Sequence, residues 1–295
     1  MGGVPVEYSV QLGTQYYRES ICERLRELRD QEELPFQIIE RQQGKQWIIQ
    51  CQFQDSSLEA TEDEGMVQKI YLYYLANTLA ETILLHWEKD YVVQMLRKRH
   101  YLKQENWQLL LNKALDYLNK GLGQVRGYRD NRKTSLVTQI LNCLGHSAVF
   151  DIEGFLRFRA HDYKSEVNKA VEFAIDEYVV QKEYLEFIQL LKHFVDSQKP
   201  RLECLHVGMT PLGKFHLYNN EGVKVTRQFL EDYQLDNVNE LGYEDLLVSA
   251  LIAVAPREVT LHIRYEGYKD TLQTIRNVFG DRVHDCQGCS LCEKF

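Results

Sequence analysis

The feature of this sequence that most constrains its fold is a long block with helical periodicity, Met66 to Lys199. Shorter segments that alternate like strands flank the block on both sides. In the first helix of the block, the apolar residues recur every three or four positions and so share one face. This segregation of strands and helices predicts an α+β fold with an all-helical middle, residues 63–200, which Pro200 ends.

The segment before the helical block predicts a small N-terminal αβ subdomain, residues 1–62. Val6–Leu12 alternates as a strand, and Ser20–Gln31 has apolar residues at helical spacing. Phe36–Arg41 and Gln46–Phe53 flank a Gly-Lys turn and predict a β-hairpin. The acidic stretch Gln54–Gly65 is interpreted as a linker or an N-capping segment.

The segment after the block, residues 201–295, predicts a C-terminal αβ subdomain. Glu258–Ile263 is predicted as a strand, Lys269–Phe279 as a helix and Arg282–His284 as a last strand. We expect the two strands to be parallel, with a ligand beyond their carboxyl ends. The earlier elements predicted in this segment are strands at Leu202–Val207 and Lys214–Asn219, a turn at Gly208–Gly213 and a buried helix at Leu246–Val254.

The tail of the sequence holds three of its seven cysteines, Cys286, Cys289 and Cys292, at the spacing C-x2-C-x2-C. Thiolates three residues apart can turn toward one soft metal ion. Gly288 allows the backbone to bend tightly between the first two cysteines. The spacing therefore predicts metal or redox chemistry at the tail, with one ligand missing from a tetrahedral set.

The candidates for the fourth ligand are a histidine close to the cysteines and residues of an earlier strand. His284 is the nearest candidate ligand, and Cys204 with His206, on a predicted strand, are the best candidates from elsewhere. Zinc is favoured slightly over an iron–sulfur cluster, because a ferredoxin-type run continues with a further Cys and a Pro that are lacking after Cys292. The alternative is an exposed tail whose thiols bind no cofactor.

A second candidate site is Glu153 with Arg157 and Arg159, at the predicted start of a helix. The two guanidinium groups could form an anion clamp, because guanidinium binds phosphate or carboxylate in a bidentate manner. The alternative, which we favour, is an ion-pair network that ties two helices together.

Basic residues concentrate at Arg97–Lys103 and again at Arg126–Lys133. A nucleic-acid interface would need these charges on one face together with stacking aromatic rings. We favour a solvated helix end and loop, because the net charge is -8 and disfavours nucleic acid and anionic lipid. We expect another protein as the partner.

The expected location is the cytoplasm. The amino-terminal residues have neither the basic nor the apolar region of a signal peptide. The longest apolar run, Leu246–Pro256, is too short to cross a membrane, which takes about 20 apolar residues.

Several motifs in the middle of the sequence are specific enough to compare with known families. They are DIEGFLRFR from Asp151, AIDEY from Ala174, EYLEFI from Glu183 and LLKHF from Leu190. They resemble the YtxC-like family, bacterial proteins of spore-forming Firmicutes, and the ending VFGDRV from Val278 with the three cysteines is similar as well. The resemblance covers roughly residues 65–292. It implies a cytosolic protein linked to sporulation and implies no catalytic residues.

Three functions therefore compete. The first is a non-catalytic, sporulation-associated protein with a C-terminal thiolate site for zinc or an iron–sulfur cluster. The second is an enzyme that uses an iron–sulfur cluster or a redox dithiol. The third is a binder of nucleic acid or of a regulatory protein through the helical middle. Whether the protein is an enzyme is not decided by these patterns.

Overall fold

The computed structural model describes residues 6–55, 64–121, 123–209, 215–225, 243–263 and 268–294. The chain forms two compact units, Met1–Tyr178 and Val179–Phe295. Sheets near both ends and a long helical middle confirm the predicted α+β fold. The predicted division into residues 1–62, 63–200 and 201–295 does not use the boundary between these two units, and it stays a prediction. The acidic stretch and the Gly208–Gly213 turn lie largely outside the described residues.

The first unit holds a four-stranded sheet whose strands, from one edge to the other, are β2 (Phe36–Gln43), β3 (Gln46–Asp55), β1 (Val6–Thr14) and β4 (Val149–Asp151). The predicted hairpin is confirmed, because Gln43 pairs with Gln46 and leaves a two-residue turn at Gly44 and Lys45. Gly44 has φ +63°, which a residue without Cβ adopts at little cost.

The helices of the first unit bury apolar side chains, among them those of Leu79, Leu110 and Ile140. They include a π-helical turn, Ile83–Trp87, between two α-helices. The division between the units falls within the longest helix. The α-helices are α1 (Arg18–Gln31), α2 (Glu64–Thr82), α3 (Glu88–Arg97), α4 (Trp107–Lys120), α5 (Tyr128–His146), α6 (Ile152–Phe158) and α7 (His161–Ser197).

A buried ion pair lies among these helices. Glu88 is 3% exposed and Arg132 5% exposed, and the guanidinium group of Arg132 pairs with the Glu88 carboxylate. Arg132 also donates to the carbonyl oxygen of Leu118 at 2.7 Å, and the hydroxyl of Tyr163 donates to Glu88 at 2.5 Å. Burial raises the pKa of Glu88, and the neighbouring guanidinium group opposes that shift. The pair links α3 to α5 and α7.

The second unit holds a four-stranded sheet whose strands, from one edge to the other, are β6 (Phe215–Asn219), β5 (Cys204–Met209), β7 (Glu258–His262) and β8 (Val283–Asp285). Three strands, β5, β7 and β8, are parallel, and β6 pairs antiparallel with β5. The prediction that the last two strands are parallel is thus confirmed. Its two further α-helices among the described residues are α8 (Tyr243–Val254) and α9 (Lys269–Phe279).

One face of this sheet is covered by apolar side chains of the helices. Val259 and Leu261 of β7 are fully or almost fully buried, and they pack with Leu251 of α8 and Ile275 of α9. Because side chains alternate along a strand, Thr260 and His262 lie on the opposite face. That face carries the candidate site.

Candidate metal centre

The candidate site lies at the carboxyl ends of β7 and β8. His262 is the last residue of β7, and Cys286 follows directly after β8. The backbone N–H of Cys286 donates to the carbonyl oxygen of Leu261 at 2.9 Å, so the strand pairing continues one residue past β8. This bond fixes Cys286 beside His262. Ligands of open α/β sheets typically bind at such strand ends.

The tail then turns back over the sheet. Gly288 has φ +124°, a conformation that other residues rarely adopt, and its N–H points to Cys286 Sγ at 3.4 Å. The N–H of Cys292 donates to the carbonyl oxygen of Cys289 at 3.0 Å, within a short 3₁₀ segment, Ser290–Lys294. Cys292 is therefore buried at 4% exposure, whereas Cys289 is exposed.

Four ligand atoms converge at this turn. The three Sγ atoms of Cys286, Cys289 and Cys292 and a ring nitrogen of His262 all lie within 4.8 Å of one another. His262 Nδ1 is 3.2 Å from Cys292 Sγ and 3.7 Å from Cys289 Sγ. Cys292 Sγ is 3.7 Å from Cys286 Sγ and 4.0 Å from Cys289 Sγ.

These separations fit one four-coordinate ion. Metal–sulfur bonds of about 2.3 Å and metal–nitrogen bonds of about 2.0 Å place tetrahedral ligand atoms about 3.5–3.8 Å apart. The measured distances of 3.2–4.0 Å lie around that value. Three thiolates and one imidazole are also a donor set typical of soft ions. The residues present could therefore hold a metal ion through His262, Cys286, Cys289 and Cys292.

The protonation of the histidines also suits this role. Burial lowers the pKa of His262, which is 1% exposed, and the neighbouring His206 lowers it further. Burial likewise lowers the pKa of His206. Both rings are therefore neutral near pH 7, and a neutral imidazole has the lone pair that a metal ligand needs.

The pKa values of two of the thiols are shifted in opposite directions. Burial raises the pKa of Cys289, but hydrogen bonds from the N–H of Cys292 and from neighbouring groups outweigh it and lower that pKa overall. For Cys286, the N–H of Gly288 lowers the pKa, but burial and the two neighbouring cysteines raise it overall. A bound cation would remove this competition, since it deprotonates a coordinating thiol.

Cys204 and His206 lie behind His262 and not among the four ligands. His206 Nδ1 is 3.0 Å from His262 Nε2, the ring nitrogen that faces away from the cysteines. On its other side, His206 Nε2 is 3.7 Å from Cys204 Sγ, which is 3.5 Å from Thr260 Oγ1. These residues of β5 and β7 form a polar chain beneath the candidate site.

The sequence-based search thus brought in three of the four converging residues and missed His262. His284, the nearest candidate by sequence, is exposed and pairs in register with Thr260, outside the group of four. A signal for His262 was present, because it is the next-to-last residue of the predicted strand Glu258–Ile263, which we expect to run parallel to the strand before the cysteines. Using that signal requires knowing that the two strands are adjacent in the sheet.

The structure also gives the contacts of Glu153, Arg157 and Arg159. Glu153 accepts hydrogen bonds from Thr14 Oγ1 at 2.9 Å and from the N–H of Gln15 at 3.0 Å. The Arg159 guanidinium group donates to Cys143 Sγ at 3.2 Å, and Arg157 lies over the ring of Phe158. These contacts test neither the anion clamp nor the ion-pair network, and both stay predictions.

Much of the basic concentration is paired inside the first unit. Arg129 and Lys133 both contact Glu81, at 3.0 and 2.8 Å. Arg99 pairs with Glu172. Arg132 is buried in its ion pair with Glu88.

Within the residues that the structure describes, no helix has the length and apolarity to cross a bilayer.

Together, the fold and the four-residue cluster define an α+β protein with a candidate thiolate–imidazole metal centre. The family model described as the YtxC-like family matches residues 73–284, and the chain belongs to this family. The matched range includes His206 and His262 but ends before the three tail cysteines. The case for the metal centre therefore comes from the geometry of the site.

A curated relative carries the name of the same family. The chain is 32% identical over 160 residues to the "Uncharacterized protein YtxC" of Bacillus subtilis (strain 168). The alignment covers 52% of this chain and 54% of that protein, so the chain spans about half the length of the curated relative that it matches. No solved structure matches the chain with significance.

Proposed function

We propose that this chain is a non-catalytic, cytosolic protein whose C-terminal unit binds one zinc ion through Cys286, Cys289, Cys292 and His262. The observation that carries the proposal is the mutual approach of four ligand atoms to within 4.8 Å. The ion would attach the tail to the carboxyl ends of β7 and β8. Its role would thus be structural, or sensory if loss of the ion releases the tail.

The choice of zinc rests on the spacing of the donors. A single ion brings tetrahedral ligand atoms to about 3.5–3.8 Å from one another, and four of the six separations between the ligand atoms here are 3.2–4.0 Å. An iron–sulfur cluster places several irons between its thiolates, each with its own protein ligands, and so spreads those thiolates apart. The proposed lack of catalysis rests on the count of donors. Four protein ligands fill a tetrahedral zinc site, whereas catalytic zinc sites keep one position for water or substrate.

Elemental analysis tests this proposal. Protein purified without oxygen should contain one zinc ion per chain and no iron or sulfide, and its solution should be colourless. Metal-free protein whose tail thiols react at once with a thiol reagent would overturn it. Reconstitution with Zn²⁺ after chelation, followed by the same reagent, would show whether the ion protects the thiols.

A redox role is the second candidate, and the exposure of Cys289 favours it. Its Sγ is 4.0 Å from that of Cys292, so a small movement would reach the S–S bond length of about 2.05 Å. Iron and sulfide in the purified protein, with absorbance near ~400 nm, would support an iron–sulfur enzyme instead. A dithiol enzyme would show a disulfide that forms and is reduced reversibly with the metal absent.

The proposed link to sporulation rests on the likeness to the YtxC-like family, and the proposed partner is another protein. The ion pairs of Arg99, Arg129 and Lys133 support a protein partner over nucleic acid, because these charges already have acidic neighbours. In a spore-forming host, a copy with serine at the three tail cysteines should lower the yield of heat-resistant spores. An unchanged yield would argue against this part of the proposal.

A further inference from the structure

We infer that His206 is a positioning residue, which holds the His262 ring in the one tautomer that presents Nδ1 to the metal. This inference rests on the proposed zinc site. The observation behind it is the 3.0 Å separation of His206 Nδ1 from His262 Nε2. Two ring nitrogens at that distance share one proton in a hydrogen bond.

The direction of the hydrogen bond follows from the metal site. His262 Nδ1 faces the thiols, at 3.2 Å from Cys292 Sγ, so this nitrogen must offer its lone pair when an ion is bound. The proton of the neutral His262 ring then lies on Nε2 and is donated to His206 Nδ1. The proton of the neutral His206 ring consequently lies on Nε2, which faces Cys204 Sγ at 3.7 Å.

The chain of contacts is held by backbone pairing. His206 pairs in register with Thr260 across β5 and β7, and His262 is two residues further along β7. The two rings are therefore diagonal neighbours on the same face of the sheet, with centroids 5.2 Å apart. Cys204, two residues before His206, continues this series of contacts to Thr260 Oγ1.

Partners behind a metal-binding histidine generally fix its tautomer and orientation and increase its basicity, and their removal typically weakens metal binding about 10- to 100-fold. We therefore assign His206 an effect on affinity without any contact to the ion. This gives a function to a residue that the sequence offered only as a remote ligand.

Competition of the full-length protein with a chromophoric chelator for Zn²⁺ tests this role. His206→Ala should raise the apparent Kd for Zn²⁺ about 10- to 100-fold. His206→Asn should restore most of the affinity, because its Oδ1 stands close to where Nδ1 stood and can accept the same hydrogen bond. His284→Ala is the matched control. It removes an exposed imidazole beside the same strand and should leave Kd unchanged.

The tautomer can be measured without any variant. Long-range ¹⁵N–¹H spectra of the zinc-loaded wild-type protein should show the proton of His262 on Nε2 and a metal-shifted Nδ1. A proton on Nδ1, or coordination through Nε2, would overturn the inference even if the variants fail to fold.

The outcomes separate the two proposals. If the wild-type protein binds zinc and His206→Ala binds it as tightly as His284→Ala, the positioning role is refuted and the zinc site stands. If the wild-type protein takes up no zinc, the zinc site itself is refuted and the positioning role with it.

Discussion

His262 Nδ1 lies 3.2 Å from Cys292 Sγ, although 30 residues separate the two along the chain. The contact joins the end of a central strand to the tail, and both partners are buried. Burial of a thiol against a neutral imidazole, with two more thiols around them, costs little if a cation is shared by all four groups.

Removal of the imidazole should disrupt metal binding. We expect His262→Ala to raise the apparent Kd for Zn²⁺ more than about 100-fold, a larger effect than the loss of a residue behind a ligand. The measurement is the same chelator competition, with His284→Ala as control. Wild-type affinity in His262→Ala would show that another group completes the site, and a loss of affinity in His284→Ala would identify His284 as that group.

The exposed cysteine should matter as much as the buried ones. Cys289→Ser replaces a soft thiolate with a hydroxyl, so we expect the zinc content of the purified protein to fall from one ion per chain to well below that. Cys143→Ser, which alters a half-buried thiol in the first unit, is the control and should keep one ion. Full zinc content in Cys289→Ser would restrict the site to the other three ligands.

Metal removal should loosen the second unit selectively. A ligand that binds only the folded state stabilises it by about 4 kcal/mol when its free concentration is a thousand times Kd. Chelation should therefore speed amide hydrogen exchange in β7, β8 and the tail. The three tryptophans, Trp47, Trp87 and Trp107, all lie in the first unit, so their fluorescence should change little. Uniform loss of protection in both units would contradict a local role of the ion.

The buried ion pair of the first unit should be costly to break. Arg132→Ala leaves the Glu88 carboxylate buried without its cationic partner, and we expect a loss of about 3–5 kcal/mol in the free energy of unfolding. Arg129→Ala is the control, because its pair with Glu81 is partly solvated and contributes at most about 1 kcal/mol. Urea unfolding followed by tryptophan fluorescence measures both, since Trp87 packs on Tyr163. Similar losses of unfolding free energy in the two variants would contradict the distinction between the buried and the partly solvated ion pair.

Acid should weaken the first unit through Glu40. Hydrogen bonding by Arg18 holds the pKa of this carboxyl below its ordinary 4.5, and Arg26 contributes. The folded state therefore binds this proton less readily than the unfolded chain does, so the stabilisation is present above about pH 4.5 and is lost as the pH falls further. Glu40→Gln should cost about 1 kcal/mol at pH 7 and progressively less as the pH falls below 4.5. A cost that does not depend on pH would refute the electrostatic origin.

Much of the fold followed from local patterns in the sequence. The hairpin around Gly44, the strand and helix before the cysteines and the end of the long helix at about Pro200 all depend on residues close together in the chain. Periodicity and turn residues report such short-range geometry directly. The three tail cysteines belong to the same category, because their spacing alone places them in one turn.

The fourth member of the cluster and the residue behind it required the tertiary structure. His262 reaches Cys292 only because β7 and β8 are adjacent and parallel, and His206 reaches His262 only because β5 is the neighbour on the other side. Strand order is decided by long-range packing of the helices and strands, which no local pattern encodes. The sequence by itself therefore determined which donors the tail contributes, and the order of strands in the sheet decided which histidine meets them.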